Sequence, residues 1–225
     1  MQMQARVQAA AEALPGMAAA DFFEMRITGS GGHAAIPDLA IDPIPCGAAI
    51  VQSLQSIVSR RVAALEPAVV SVTIFESGSA FNVIPGSARL GGTARSFSPD
   101  VRKFLEESIH EIAMATAKAY DCKIEIDWQP GYPPTVNHAE ESARAVDVAA
   151  NVLGADNIIT DLQPSMGAED FAYMLAEKPG SYIWLGAGPA KNGAMLHNDR
   201  YDFNDDVLAT GASYWARLVE SELPK

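Results

Sequence analysis

Ser98–Trp128, SPDVRKFLEESIHEIAMATAKAYDCKIEIDW, holds two elements whose reading decides the fold. Ser98 can cap a helix, Pro99 fits its first turn, and Asp100 complements the helix dipole. Val101, Leu105, Ile109 and Ile112 then form an apolar stripe at helical spacing. From Cys122 the period changes to two: Cys122, Ile124, Ile126 and Trp128 alternate with Lys123, Glu125 and Asp127. That pattern predicts a half-buried strand directly after the helix.

Upstream, Phe23, Met25 and Ile27 alternate with Glu24 and Arg26, which predicts a strand over 22–28 that Gly29-Ser30-Gly31-Gly32 ends. After Pro43, the residues Ile50, Leu54, Ile57 and Val58 mark an amphipathic helix closed by Arg60-Arg61. Val69–Phe75 is rich in β-branched residues, and 87–95 reads as a further strand weakened by Gly91-Gly92. The order over 22–128 is β-α-β-β-α-β, the ferredoxin-like arrangement of a four-stranded antiparallel sheet with two helices on one face.

Downstream, Pro130–Pro134 marks a boundary. Asn137 with Glu140 reads as a capping box opening a helix to about residue 152. A short strand is expected at Ile158-Ile159, a helix over 168–176, a buried parallel strand at Tyr182–Leu185, and a last helix over 204–220. Two weak strands are too few for an independent doubly wound sheet, so this region reads as half of an α/β domain. The expected division is a tail over 1–20, the ferredoxin-like domain over 21–129, and the incomplete α/β part over 130–225.

The net charge of −12 on 225 residues is concentrated late. Residues 1–119 carry 9 basic and 11 acidic side chains, and residues 120–225 carry 7 and 17. Such a chain repels phosphate backbones, which argues against nucleic-acid partners. No apolar run is long enough for a membrane helix, and the start of the chain lacks the pattern of a secretory signal. Cys46 and Cys122 form neither a disulfide framework nor a CxxC knuckle, and a reducing, cytoplasmic setting is expected.

Several side chains suit chemistry, each with a plainer alternative. His33 follows two glycines in a loop that lets a ligand approach closely. His197 precedes Asp199, Asp202 and Asp205, groups suited to a divalent cation, but no HExxH-type spacing accompanies it, and the plainer reading is a loop histidine holding a backbone carbonyl. Arg95 at a strand end could fork onto a carboxylate or form a surface ion pair. Asn82 lies between strands and suits a turn. His110 reads as a solvated helix residue, His138 as a residue beside a helix cap, and Glu169-Asp170 as a first-turn acidic pair.

Taken together, Gly31–Pro37 (GGHAAIP read from Gly31), Ile41-Asp42-Pro43, Val69–Thr73, Phe81–Pro85 (FNVIP), Gly91–Arg95 (GGTAR), Gly131–Asn137, Met166–Phe171 and Leu196–Asp205 resemble the M20 amidohydrolases, in the branch that hydrolyses hippurate and other N-acyl amino acids. The resemblance implies a two-metal catalytic domain, holding zinc or manganese, interrupted by a ferredoxin-like lid that pairs in a homodimer. It implies His197 as a metal ligand and His33 as a catalytic residue reaching a partner's site. It implies Asn82 and Arg95 as substrate-binding residues, Arg95 for the free carboxylate. The family's remaining ligands and its base glutamate lie in motifs ahead of the lid, and residues 1–14 contain nothing like them. Asp199 also stands where the family usually has proline. The expectation is therefore a chain inactive by itself. A non-enzymatic ferredoxin-like dimerisation or small-ligand module is the alternative.

Overall fold

The computed structural model describes residues 6–8, 15–188, 193–194 and 196–223, which form two compact units. The first comprises 1–16, 135–165 and 170–225; the second comprises 17–134 with 166–169. Among the described residues no helix is long and apolar enough to cross a membrane.

In the first unit, β1 (Arg6–Gln8) pairs in parallel with β10 (Ile158–Ile159) and antiparallel with β11 (Trp184–Gly186). Two short strands, β2 (Pro15–Met17) and β9 (Thr135–Val136), lie at two of the places where the chain passes between the units. Helices α3 (Ala139–Leu153) and α5 (Leu208–Glu222) enclose a small core of Val148, Ala149 and Tyr214, with Ile158, Leu185 and Leu218 packed against it.

This unit departs from the sequence reading in several places. The segment expected as a tail supplies a central strand at 6–8, while residues 1–5 and 9–14 lie outside the described residues. The strand expected to be parallel runs antiparallel to that unforeseen neighbour. Helix α4 (Phe171–Glu177) starts three residues later than expected. Asn137 does not cap α3. Its amide clasps the backbone of Tyr182, donating to the carbonyl at 2.9 Å and accepting from the N–H at 2.7 Å, and His138 occupies the cap position without a side-chain bond to the helix.

The second unit is the ferredoxin-like domain. Strands β3 (Ala19–Thr28), β5 (Ala68–Ser77), β7 (Ser87–Ser96) and β8 (Lys123–Pro130) form one antiparallel sheet in the order β5-β7-β3-β8. A bulge between Val72 and Ile74 shifts the β5–β7 register. Helices α1 (Pro43–Ser56) and α2 (Pro99–Ala119) cover one face, with Ile50, Leu54, Leu105 and Ile109 meeting Phe23, Met25, Ile27 and Leu90. Fully burying a Leu or Ile of this kind contributes about 1.5–3 kcal/mol. Phe23 and Trp128 stack at 6.3 Å between centroids. Asp42 caps α1 through the Ile44 N–H at 2.9 Å, and Ser98 caps α2 through the Val101 N–H at 3.5 Å.

The opposite face is polar. Arg89 crosses it, donating to Glu24 at 2.7 Å and Glu76 at 3.1 Å. The Glu24 carboxyl is held below its ordinary pKa chiefly by that hydrogen bond to Arg89. Two further strands, β4 (Gly32–His33) and β6 (Val83–Ile84), form a small antiparallel pair in the loops after β3 and β5.

Candidate functional site

Residues far apart in sequence meet where β4 lies beside β6. His33 stands opposite Val83, and the Ala34 N–H donates to the Asn82 carbonyl at 3.0 Å. His33 and Asn82 therefore share one exposed end of the second unit. The His33 ring is oriented locally, its Nδ1 accepting the Ala35 N–H at 3.1 Å. An accepting Nδ1 places the proton of the neutral ring on Nε2, so the imidazole presents an N–H donor outward. Phe81, next to Asn82, is fully exposed at the same end.

Arg95 sits near the other end of the sheet, where it pairs in register with Ala20 and Val69. Its Nε donates to Thr93 Oγ1 at 3.0 Å, and its guanidinium lies 5.7 Å from the centroid of the Phe22 ring. Thr93 in turn donates to the Asp21 carbonyl at 2.8 Å. This leaves the Arg95 Nη atoms with no hydrogen bond among the described residues. Strand alternation puts Thr93 and Arg95 on one face, a signal that would have nominated Thr93 from sequence. Nothing in the local pattern points to Phe22, which comes from the neighbouring strand.

The strand rise puts roughly 26 Å between the Ser87 end of β7, beside which β4 and β6 lie, and Arg95. One copy of this unit cannot bring His33 and Arg95 onto the same small molecule.

His197 belongs to the first unit, in a loop where its backbone takes φ +67°. That left-handed conformation is uncommon for a residue other than glycine. Its neighbours Asp199 and Arg200 approach each other to 4.0 Å and are both exposed. Among the described residues, no three His, Cys, Asp or Glu side chains converge as a metal site. A catalytic divalent ion needs about three protein ligands, so these residues do not fit the metal centre by themselves. A 380 Å³ apolar cavity in this unit, lined by Phe171, Tyr182, Tyr214, Trp215 and Leu218, contains none of the residues nominated from sequence. His110 bonds the Glu106 carbonyl, and His138 Nδ1 accepts the Gly180 N–H at 3.2 Å, so both are structural.

Residues 5–221 match the peptidase family M20/M25/M40. The hippurate hydrolase of Campylobacter jejuni is 38% identical over 203 residues, covering 90% of this chain and 52% of the relative. The N-acetylcysteine deacetylase of Bacillus subtilis is 35% identical over 205 residues, covering 91% and 52%. Among solved structures, the Bacillus subtilis YxeP protein, described as a dinuclear metal binding peptidase of the M20 family, superposes with a TM-score of 0.71 at 28% identity, covering 94% of this chain and 52% of that one. The chain spans about half the length of the curated relatives it matches, and over that span it belongs to the peptidase family M20/M25/M40.

Proposed function

We propose that this chain is the lid-bearing portion of an amidohydrolase that cleaves N-acyl amino acids, hippurate among them. The observation that carries this is the Arg95 guanidinium, held by Thr93 and Phe22 with its Nη atoms presented for a substrate carboxylate. At the other end of the lid, His33 offers an Nε2–H donor and Asn82 an amide, both suited to the oxygen of the scissile carbonyl. Because the two ends are too far apart to share one substrate, the reading includes a homodimer in which one lid supplies Arg95 and the other supplies His33 and Asn82. Divalent metal, zinc or manganese, belongs to the intact active site with His197 as one ligand, and this chain does not hold it alone. A reducing, cytoplasmic setting accompanies the reading.

A second reading is a non-enzymatic dimerisation or ligand-binding module. It is favoured by the lack of a converging ligand set among the described residues, and by edge strands β5 and β8 that could pair with another copy.

The test is elemental analysis of the purified chain together with hippurate hydrolysis in added manganese or zinc, and calorimetric titration with hippurate. No stoichiometric metal, no turnover, and hippurate binding weakened at least tenfold by Arg95→Ala support the proposal. No hippurate binding favours the second reading. Metal-dependent turnover abolished by His197→Ala would overturn the claim that the chain does not hold the metal alone.

A further inference from the structure

The two cysteines of the sequence meet at one point in the core of the second unit. Cys46 lies in the first turn of α1, and Cys122 immediately precedes β8. The Cys122 sulfur reaches the carbonyl of Asp42, the cap residue of α1, at 4.0 Å. Cys46 stands four residues beyond Asp42, hence on the same face of the helix. Cys122 thus rests against the helix turn that carries Cys46, and each thiol acts on the other's titration. Both are free, and both belong to the apolar cluster.

Their access differs. Cys46 is wholly buried, whereas Cys122 keeps 8% exposure beside the exposed turn Tyr120–Asp121. Burial pushes the Cys46 thiol up to about 12 and also raises that of Cys122, where the Asp42 and Asp121 carboxylates add to the effect. Thiols of this kind are slow nucleophiles at neutral pH.

We propose that Cys46 and Cys122 form a thiol–disulfide couple, a covalent latch that ties the start of α1 to the start of β8. The oxidant is a low-molecular-weight disulfide such as oxidised glutathione. The Cys122 thiolate attacks one sulfur of that disulfide, its S–S bond breaks, and one glutathione leaves as thiolate and takes a proton. Cys46 then attacks the Cys122 sulfur of the mixed disulfide and expels the second glutathione, whose thiolate takes the Cys46 proton. Two protein thiols are oxidised to one disulfide, and one oxidised glutathione is reduced to two thiols. The order follows from access, since Cys122 is the more exposed of the two and the oxidant meets it first.

The latch bears on the loop between β3 and α1. Ser30 and Ile41 close that loop with backbone bonds of 2.8 and 2.9 Å, and it carries His33. Its far end is the Asp42 turn against which Cys122 rests. Oxidation pins that end to β8. The couple rests on the geometry of the second unit and is independent of the amide-hydrolysis reading.

The experiment incubates the folded chain with oxidised glutathione and follows intact mass and thiol count after quenching. The expected product has lost two hydrogens and both thiols, shows a Cys46–Cys122 crosslink on peptide mapping, and melts at higher temperature because a loop of roughly 76 residues is closed. Cys46→Ala should stop at a single glutathione adduct on Cys122. Retention of both thiols in the folded wild type, or adducts that accumulate without an internal bond, would overturn the proposal.

Discussion

Arg102 clasps the carboxylate of Asp21, with Nε donating to Oδ2 at 2.8 Å and Nη2 to Oδ1, and the Gly131 N–H donates to Oδ1 at 3.1 Å. Asp21 is 2% exposed, so these donors stand in place of water around its carboxylate. Removing one member of a buried pair leaves the other uncompensated, at a cost of about 3–5 kcal/mol. Arg102→Ala should lower the unfolding free energy by that amount in urea titration. Arg102→Lys should recover little, because an ammonium cannot form the two-pronged contact. A loss well under 1 kcal/mol for the alanine variant would refute the assignment.

The paired glycines of β7 should respond unequally to alanine. A Cβ at Gly92 would run into the Ser71 carbonyl and the Phe23 ring, both fixed in the sheet and core. A Cβ at Gly91 would meet the Ile74 side chain, 3.1 Å from Cδ1 and 3.3 Å from Cβ, with no backbone atom in the way. Overpacking of the first kind costs about 1–3 kcal/mol or more. Thermal denaturation should show Gly92→Ala melting well below Gly91→Ala, and equal melting temperatures would contradict the packing described.

Asp42→Ala removes the side-chain acceptor for the Ile44 N–H. Loss of such a cap costs about 1 kcal/mol. Asp42→Asn keeps an acceptor oxygen and should restore most of the loss in chemical denaturation. An alanine variant as stable as the parent would show that the cap contributes nothing.

Burial of Cys46 sets an alkaline limit. Its folded thiol titrates near 12 against an ordinary value of 9.0, so the native state keeps a proton that the unfolded chain gives up. The resulting stability is fully present below pH 9.0 and is lost as pH rises toward about 12. The denaturation midpoint of the reduced protein should fall across that window, and the fall should be shallower in Cys46→Ala. Parallel pH profiles would show that Cys46 is not the group responsible.

The lid was legible because its outer and second strands carry alternation or β-branched runs and each helix its own stripe. Phe23-Met25-Ile27 and Ile124-Ile126-Trp128 place their faces without help from distant residues. The first unit was less legible because its central strand is only Arg6–Gln8, three residues without a period, and the direction of β11 depends on it. Asn137 looked like a cap because the spacing to Glu140 suits one, but its amide is engaged by Tyr182. The candidate site was legible as residue types. What pattern could not supply was the meeting of His33 with Asn82, which rests on a pair of two-residue strands, or the separation of both from Arg95.

The path of the chain also orders its assembly. Val7 pairs with Ile158 and Leu185, so the sheet of the first unit closes only after the whole lid has been made. The lid's own sheet joins residues 19–130, and the Ala20 N–H meets the Tyr132 carbonyl at 3.0 Å, so its two chain ends leave side by side. A folded lid therefore shortens the loop that the first unit must close, and loop-closure entropy falls with that length. On a ribosome, the lid can complete itself while residues 6–8 wait for partners still to be synthesised. A substitution that stalls the lid would then appear first as a failure of the other unit to form.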